Sequence, residues 1–287
     1  MNLGRATLIG FSAVLMWGLL AVLTIGTAPV PPLQLNAMCF ALGGGIGLVW
    51  TGRRGFAVLA GVGWPVYALG TAGLFGAHFL YFTAFRLAPS AETGLIAYLW
   101  PILIVLMSGL LPGERLRRLH LLGGFLAFCG AALVVLRGGG AVEAAALPGY
   151  GVAFVFAVVW ATYSVLSRRL GTVPTEAVAI YCLAAAALSL AAHLAFEDTQ
   201  WPVGATGWGS VLMLGLGPVG VAFFTWDVGM KAGDIQVLGV ASYAAPLLST
   251  VALVAIGRGQ ASWGLLLAAV LIIGGAALAA RASREKP

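Results

Sequence analysis

Ten apolar runs, each close to the length of a membrane-crossing helix, follow one another with only short polar breaks, and that succession leaves the chain one solvent in which to fold. The runs fall near residues 4 to 26, 32 to 51, 64 to 87, 90 to 111, 118 to 137, 147 to 168, 174 to 195, 205 to 231, 235 to 256 and 260 to 281. A bilayer core about 30 Å thick needs roughly 20 apolar residues per helical span. A membrane β-barrel would instead show shorter segments of alternating polarity, and none are found here. The expected class is therefore an all-α integral membrane protein with ten transmembrane helices. Composition agrees: 61% of the 287 residues are hydrophobic, 8% are charged, and mean hydropathy is +1.02, values no soluble domain of this size sustains. The first run follows a single Arg5 and has no small-residue cleavage pattern at its end, so it is read as a span rather than a removed signal.

The breaks carry turn chemistry: "TAPVPP" at 27 to 32, "TGRRG" at 51 to 55, "LAPSAE" at 87 to 92, "LPGERLRR" at 111 to 118, "GGGAVEAAALP" at 138 to 148 and "FEDTQWP" at 196 to 202. Placing the N-terminus in the cytoplasm collects Arg5, Arg53, Arg54, Arg115, Arg117, Arg118, Arg168, Arg169, Lys231, Arg281, Arg284 and Lys286 on that side, and leaves Arg86, Arg137 and Arg258 opposite. The positive-inside rule then makes both termini cytoplasmic. The formal charge of +6 is spread through short loops without interleaved aromatics, so no nucleic-acid partner is expected. Cys39, Cys129 and Cys182 all lie in apolar runs and read as small packing residues rather than a disulfide framework.

A shift of 145 residues brings "YLWP" (Tyr98 to Pro101) onto "YAAP" (Tyr243 to Pro246), "GAAL" (Gly130 to Leu133) onto "GAAL" (Gly275 to Leu278), and Arg86 onto Lys231. The chain reads as two copies of five spans, 1–140 and 141–287. Five is odd, so the second copy begins on the opposite face of the membrane and the halves are inverted. Inverted repeats are the architecture of secondary transporters, whose sites lie near the bilayer midplane between the halves.

Residues with polar or aromatic side chains near span centres are accordingly the site candidates: Trp17, Asn36, His78, Tyr81, Tyr98, Trp100, Trp160, Tyr163, Tyr181 and Tyr243. Trp and Tyr ordinarily gather at the membrane interfaces, so deep ones need another partner: either a neighbouring helix or a ligand. Trp160 and Tyr163 share a helix face, as do His78 and Tyr81, and two such faces would clamp a flat ring. Pro101 and Pro246 each remove an N–H inside a span and free the carbonyl four residues earlier, at Ala97 and Ser242. These carbonyls are either ligands for an ammonium group or part of a plain kink.

His78 is the one ionisable residue near a span centre. It would accept a proton, hydrogen-bond a substrate carboxylate, or pack as a neutral ring. Asp227 and Lys231 are four apart and read as a helix pair near the cytoplasmic end. With no carboxylate at mid-depth, a bulky cation would lack its counter-charge. The glycines, 41 in all, serve close helix approach, not phosphate cradles. No His/Cys/Glu spacing suits a metal, no cofactor is implied, and no catalytic Ser/His/Asp order is present.

The Ala- and Ser-bearing loop, the span with a mid-helix proline and the turn "LPGERL", together with "LMWGLLAV" around Trp17, resemble the EamA family of the drug/metabolite transporter superfamily over all ten spans. The bulky "YLWP" and the aromatic first and sixth spans are more similar to its YddG-type aromatic amino-acid exporters than to a generic member. "IGRGQAS" (Ile256 to Ser262) departs from the pattern where the second half would carry the Gly-Glu-Arg turn, so Glu114 has no symmetry mate. The resemblance implies an exporter of small metabolites, foremost amino acids with aromatic or apolar side chains, working by alternating access. The alternatives are a drug or sugar-nucleotide carrier or, in a different class, an intramembrane lipid transferase. Scarce buried basic residues disfavour anionic substrates, and the loops offer only scattered single carboxylates for acid/base work. Expected partners are a small-molecule substrate and the lipid bilayer, with a monomer as the unit. The Arg-over-Lys and Ala/Gly usage points to a bacterial inner membrane.

Overall fold

The computed structural model describes residues 1–136, 144–258 and 260–284. Arg137, Lys286 and most of the glycine-rich turn after the fifth run lie outside the described residues. Among the described residues ten helices are long and apolar enough to cross a membrane: α1 (Leu3–Gly26), α2 (Pro32–Arg54), α3 (Trp64–Leu87), α4 (Ser90–Ser108), α5 (Arg118–Val135), α6 (Ala144–Arg169), α7 (Ala177–Phe196), α8 (Gly204–Ala232), α9 (Ile235–Ala255) and α10 (Trp263–Arg284). Among the described residues no strand occurs. That is what a backbone without water requires, since a helix satisfies its N–H and C=O groups within one segment.

The helices pack α1 with α8, α3 with α6, α2 with α7, α4 with α9 and α5 with α10, and α4 also lies along α6 as α9 does along α1. Exchanging the first five helices for the second five leaves this set of pairs unchanged. The irregularities follow the same shift of 145. A π-turn at Ala72–Gly76 in α3 has its counterpart at Gly217–Val221 in α8. The break of α4 between Ala97 and Trp100 has its counterpart, to within one residue of that shift, in α9 between Ala241 and Ala244. One break is unmatched: α1 is interrupted between Trp17 and Leu20, whereas Leu147–Arg169 of α6 runs continuously.

Small residues set the helix separations, because lipid offers no hydrophobic drive between helices and contact must come from close backbone approach. On the α5–α10 seam a methyl placed on Gly123 or on Gly275 would lie 2.4 Å from the other's carbonyl oxygen. Gly73 of α3 leaves room for the Tyr163 ring, and Gly70 does so for Tyr181.

Polar ties close the ends. Near the start of α2 the buried Glu197 carboxylate accepts from the amides of Leu33 (3.0 and 3.1 Å) and Gln34 (3.1 Å), and also meets His193 (3.0 Å) and Arg86. Burial pushes this carboxyl up, but His193, the two amides and Arg86 outweigh it and hold it below the usual carboxylate range. At the opposite end of the bundle Arg54 pairs with Glu176 at 2.7 Å. Arg168 there reaches Glu114 at 2.5 Å and the carbonyls of Met230, Lys231 and Gly233 at 3.2, 3.2 and 2.6 Å.

Two outcomes follow from these seams. Gly275→Ala should destabilise the solubilised protein by about 1–3 kcal/mol through overpacking, while Gly274→Ala, whose added methyl meets nothing within 4 Å, should be neutral in the same thermal-melt assay. Because the Glu197 carboxyl is depressed in the folded state, its contribution is complete at neutral pH and is lost as pH falls through that depressed value. Melting temperatures measured from pH 7 downward should therefore drop less steeply in Glu197→Gln than in the parent protein, and parallel curves would refute the tie.

Candidate functional site

A cavity of about 790 Å³ lies between the halves. Its base is made of indoles. Trp17 from α1, Trp100 from α4 and Trp160 from α6 meet edge to face, with centroids 6.0 to 6.3 Å apart. Trp226 of α8 packs behind them, 5.1 Å from Trp17 and 5.9 Å from Trp100. Each ring is supplied by a different helix, so the cluster fixes four helices about one point. Edge-to-face contacts of this kind are worth about 0.5–1.5 kcal/mol each beyond area burial.

Hydrogen bonds orient two of the four. The Trp17 indole donates to the Pro218 carbonyl at 3.1 Å, within the α8 π-turn, and the Trp226 indole donates to Ser164 Oγ at 3.1 Å. One wall is His78 and Phe223, backed by the fully buried Phe40: Phe40 stacks on Phe223 at 5.5 Å, and the His78 ring stands across both at 5.0 and 5.6 Å. Tyr81, Tyr98 and Phe156 form another. Asn36 is buried at the cavity's edge and donates to Ser189 Oγ at 2.9 Å.

The cavity runs from the indoles towards the helix ends at Thr24 to Pro32 and Ser249–Thr250. Beyond the indoles in the other direction the protein is closed by buried polar pairs. Asp227 binds Lys231 Nζ at 2.7 Å and the Thr175 hydroxyl at 2.7 Å, Lys231 also donates to the Val173 carbonyl at 2.9 Å, and Gln236 donates to Glu114 at 3.1 Å. Among the described lining residues there is no Asp, Glu, Lys or Arg. The space is therefore apolar on its faces and uncharged, with hydroxyl, indole, amide and imidazole groups as its polar points. A net charge entering it would lose hydration without gaining a partner.

Of the residues singled out from sequence, Trp17, Asn36, His78, Tyr81, Tyr98, Trp100 and Trp160 line this cavity, as do Ala97 and Pro246. Tyr163, Tyr181 and Tyr243 do not. Tyr163 stays near Trp160, at 5.4 Å, but lies over Gly73, and Tyr181 lies over Gly70 against Tyr67, so both are taken up by packing on α3. Tyr243 is fully buried against Phe128 in the separate core of α5, α9 and α10. The prolines do start new half-helices, yet the carbonyl expected to be free at Ser242 is not free. It accepts the Ala245 amide at 3.1 Å, because the chain tightens to a turn of three residues at the break, and Ser242 itself is wholly buried.

Sequence reasoning passed over Trp226, Phe40 and Phe223. A signal existed for two of them, since the 145-residue shift carries Tyr81 to Trp226 and His78 to Phe223. Phe40 has no such mark, because Ala185 stands at the corresponding place. The Asp227–Lys231 pair appears as read, with Thr175 as an unforeseen third member.

The EamA-like transporter family model matches residues 4–136 and again 147–281. A relative from Ancylobacter novellus, named "Aromatic amino acid exporter YddG", is 50% identical over 288 residues, which is 99% of this chain and 100% of the relative. A relative of the same name from Salmonella typhimurium is 27% identical over 98% of this chain and 99% of its own length. A crystal structure at 50% identity superposes with a TM-score of 0.95 and covers 99% of both chains. With its ten apolar helices, the chain is a multi-pass membrane protein that belongs to the EamA-like transporter family.

Proposed function

We propose that this protein exports aromatic and apolar amino acids across a bacterial inner membrane by alternating access. The observation that carries the reading is the uncharged cavity of about 790 Å³ floored by Trp17, Trp100 and Trp160. A volume in this range suits a small ligand. Aromatic floors hold flat or apolar side chains, and a zwitterion brings no net charge into a site that offers none. The substrate named for the Ancylobacter relative, half identical along its full length, supports the same assignment.

In this proposal Trp17, Trp100 and Trp160 hold the side chain, while Asn36, His78, Tyr81 and Tyr98 face the amino and carboxyl groups. The halves 1–140 and 141–287 are inverted repeats with both termini in the cytoplasm. Supporting this are the pairing of helices and the recurrence of π-turns and breaks on one shift, the family's twofold match, and the gathering of Arg54, Arg168 and Lys231 at one end of the bundle. The cavity then faces the periplasm, and the cytoplasmic end is closed by Arg168, Glu114 and the Asp227–Lys231 pair. The unmatched break at Gly18 is the kind of difference two inverted halves must show when one side is open and the other shut. One chain encloses the whole cavity, so a monomer suffices as the working unit.

Proteoliposome uptake with labelled amino acids tests the reading. Phenylalanine, tryptophan and leucine should be carried, and glutamate, lysine and bulky organic cations should not. Trp100→Ala and Trp160→Ala should each cut phenylalanine transport several-fold more than alanine transport, because a lost ring contact is worth about 0.5–1.5 kcal/mol. Equal losses for both substrates would reduce these residues to packing.

A further inference from the structure

We infer that His78 accepts a hydrogen bond from the substrate's α-ammonium group, so that the carrier selects for a positively charged nitrogen that still bears hydrogen. The inference rests on the amino-acid reading above and assigns one end of that substrate. His78 Nδ1 lies 2.8 Å from the carbonyl oxygen of Leu74, a residue inside the α3 π-turn. A carbonyl oxygen carries no hydrogen, so Nδ1 must be the donor. A neutral imidazole has one donor and one acceptor nitrogen. With Nδ1 committed to the backbone, the other nitrogen, Nε2, presents a lone pair.

Three phenyl rings hold the imidazole: Phe40 at 5.0 Å, Phe223 at 5.6 Å and Phe82 at 6.4 Å. Among the described lining residues of the cavity it faces there is no Asp or Glu to pair with the ring. Among the described residues Nε2 has no hydrogen-bond partner, yet it is absent from the sealed, unpartnered polar atoms. His78 is half-buried and its open part lines the cavity. An outward lone pair repels a carboxylate and attracts an N–H. This differs from each of the three roles the sequence left open, in one of which the imidazole met the carboxylate. That group is left to donors such as the Tyr81 and Tyr98 hydroxyls.

The test is a series of phenylalanine derivatives competing against labelled phenylalanine in proteoliposomes, with direct binding followed by quenching of the protein's tryptophan fluorescence. Phenylalanine and N,N-dimethylphenylalanine keep an ammonium hydrogen; N,N,N-trimethylphenylalanine is a cation without one; 3-phenylpropionate has no amine. In the parent protein the first two should bind comparably, and affinity should fall roughly tenfold or more at the third methyl group, as expected for losing a hydrogen bond to a charged donor. His78→Gln, whose amide oxygen also accepts, should keep that step, and His78→Leu should flatten it. A gradual decline with each methyl, or an undiminished step in a folded His78→Leu, overturns the inference while leaving amino-acid export standing. Failure of the parent protein to bind or carry phenylalanine overturns both.

Discussion

The contact on which the rest of the molecule depends is the meeting of Trp17, Trp100, Trp160 and Trp226, one ring each from α1, α4, α6 and α8. Those helices belong to both halves, so the cluster joins the halves. It also divides the protein along the length of the helix bundle. On one side lies an open, uncharged space; on the other lie Asp227, Lys231, Arg168 and Glu114, mutually paired and shut in. Buried charges are tolerated only when paired, and here the pairs are kept out of the cavity by indole rings. Carrying an amino acid past this point requires the rings to part and the pairs behind them to separate. In the proposed function the same rings serve as both binding surface and barrier.

The backbone supplies the freedom for such a movement at few places. α4 and α9 are interrupted beside Pro101 and Pro246, α3 and α8 carry π-turns, and α1 breaks at Gly18 next to Trp17. Kinks at proline and at π-turns leave backbone groups outside the regular helical ladder, and in lipid these must be met by neighbouring helices or side chains. The Trp17 indole binding the Pro218 carbonyl in the α8 π-turn is one such repair. It links the floor of the cavity to one of the irregular turns.

Much of this was legible in the sequence, for identifiable reasons. Span number came from the length of apolar runs, which a bilayer fixes almost without regard to packing. The repeat came from sparse identities such as Tyr98 with Tyr243 and Pro101 with Pro246. Depth in the span found Trp17, His78, Tyr81, Tyr98, Trp100 and Trp160, but depth cannot tell which way a side chain points. Tyr163 and Tyr181 are as deep as the cavity residues and are spent on Gly73 and Gly70, a fact set by pairing between α3 and its neighbours rather than by either residue alone. The Ser242 carbonyl was misjudged because proline leaves two outcomes open, a free acceptor or a tightened turn, and local packing chose the turn. The tautomer of His78 depends on a backbone carbonyl in a π-turn, and π-turns have no periodic signature in sequence.

The central claim is that the cavity above the tryptophans is the substrate site and opens to the periplasm. Its most direct test is a single cysteine at Thr250, on the cavity rim, in a protein whose Cys39, Cys129 and Cys182 have been replaced. A membrane-impermeant maleimide added from outside should label it, and phenylalanine should slow the labelling while glutamate should not. Labelling only from the cytoplasmic side, or at a rate indifferent to phenylalanine, would contradict the account.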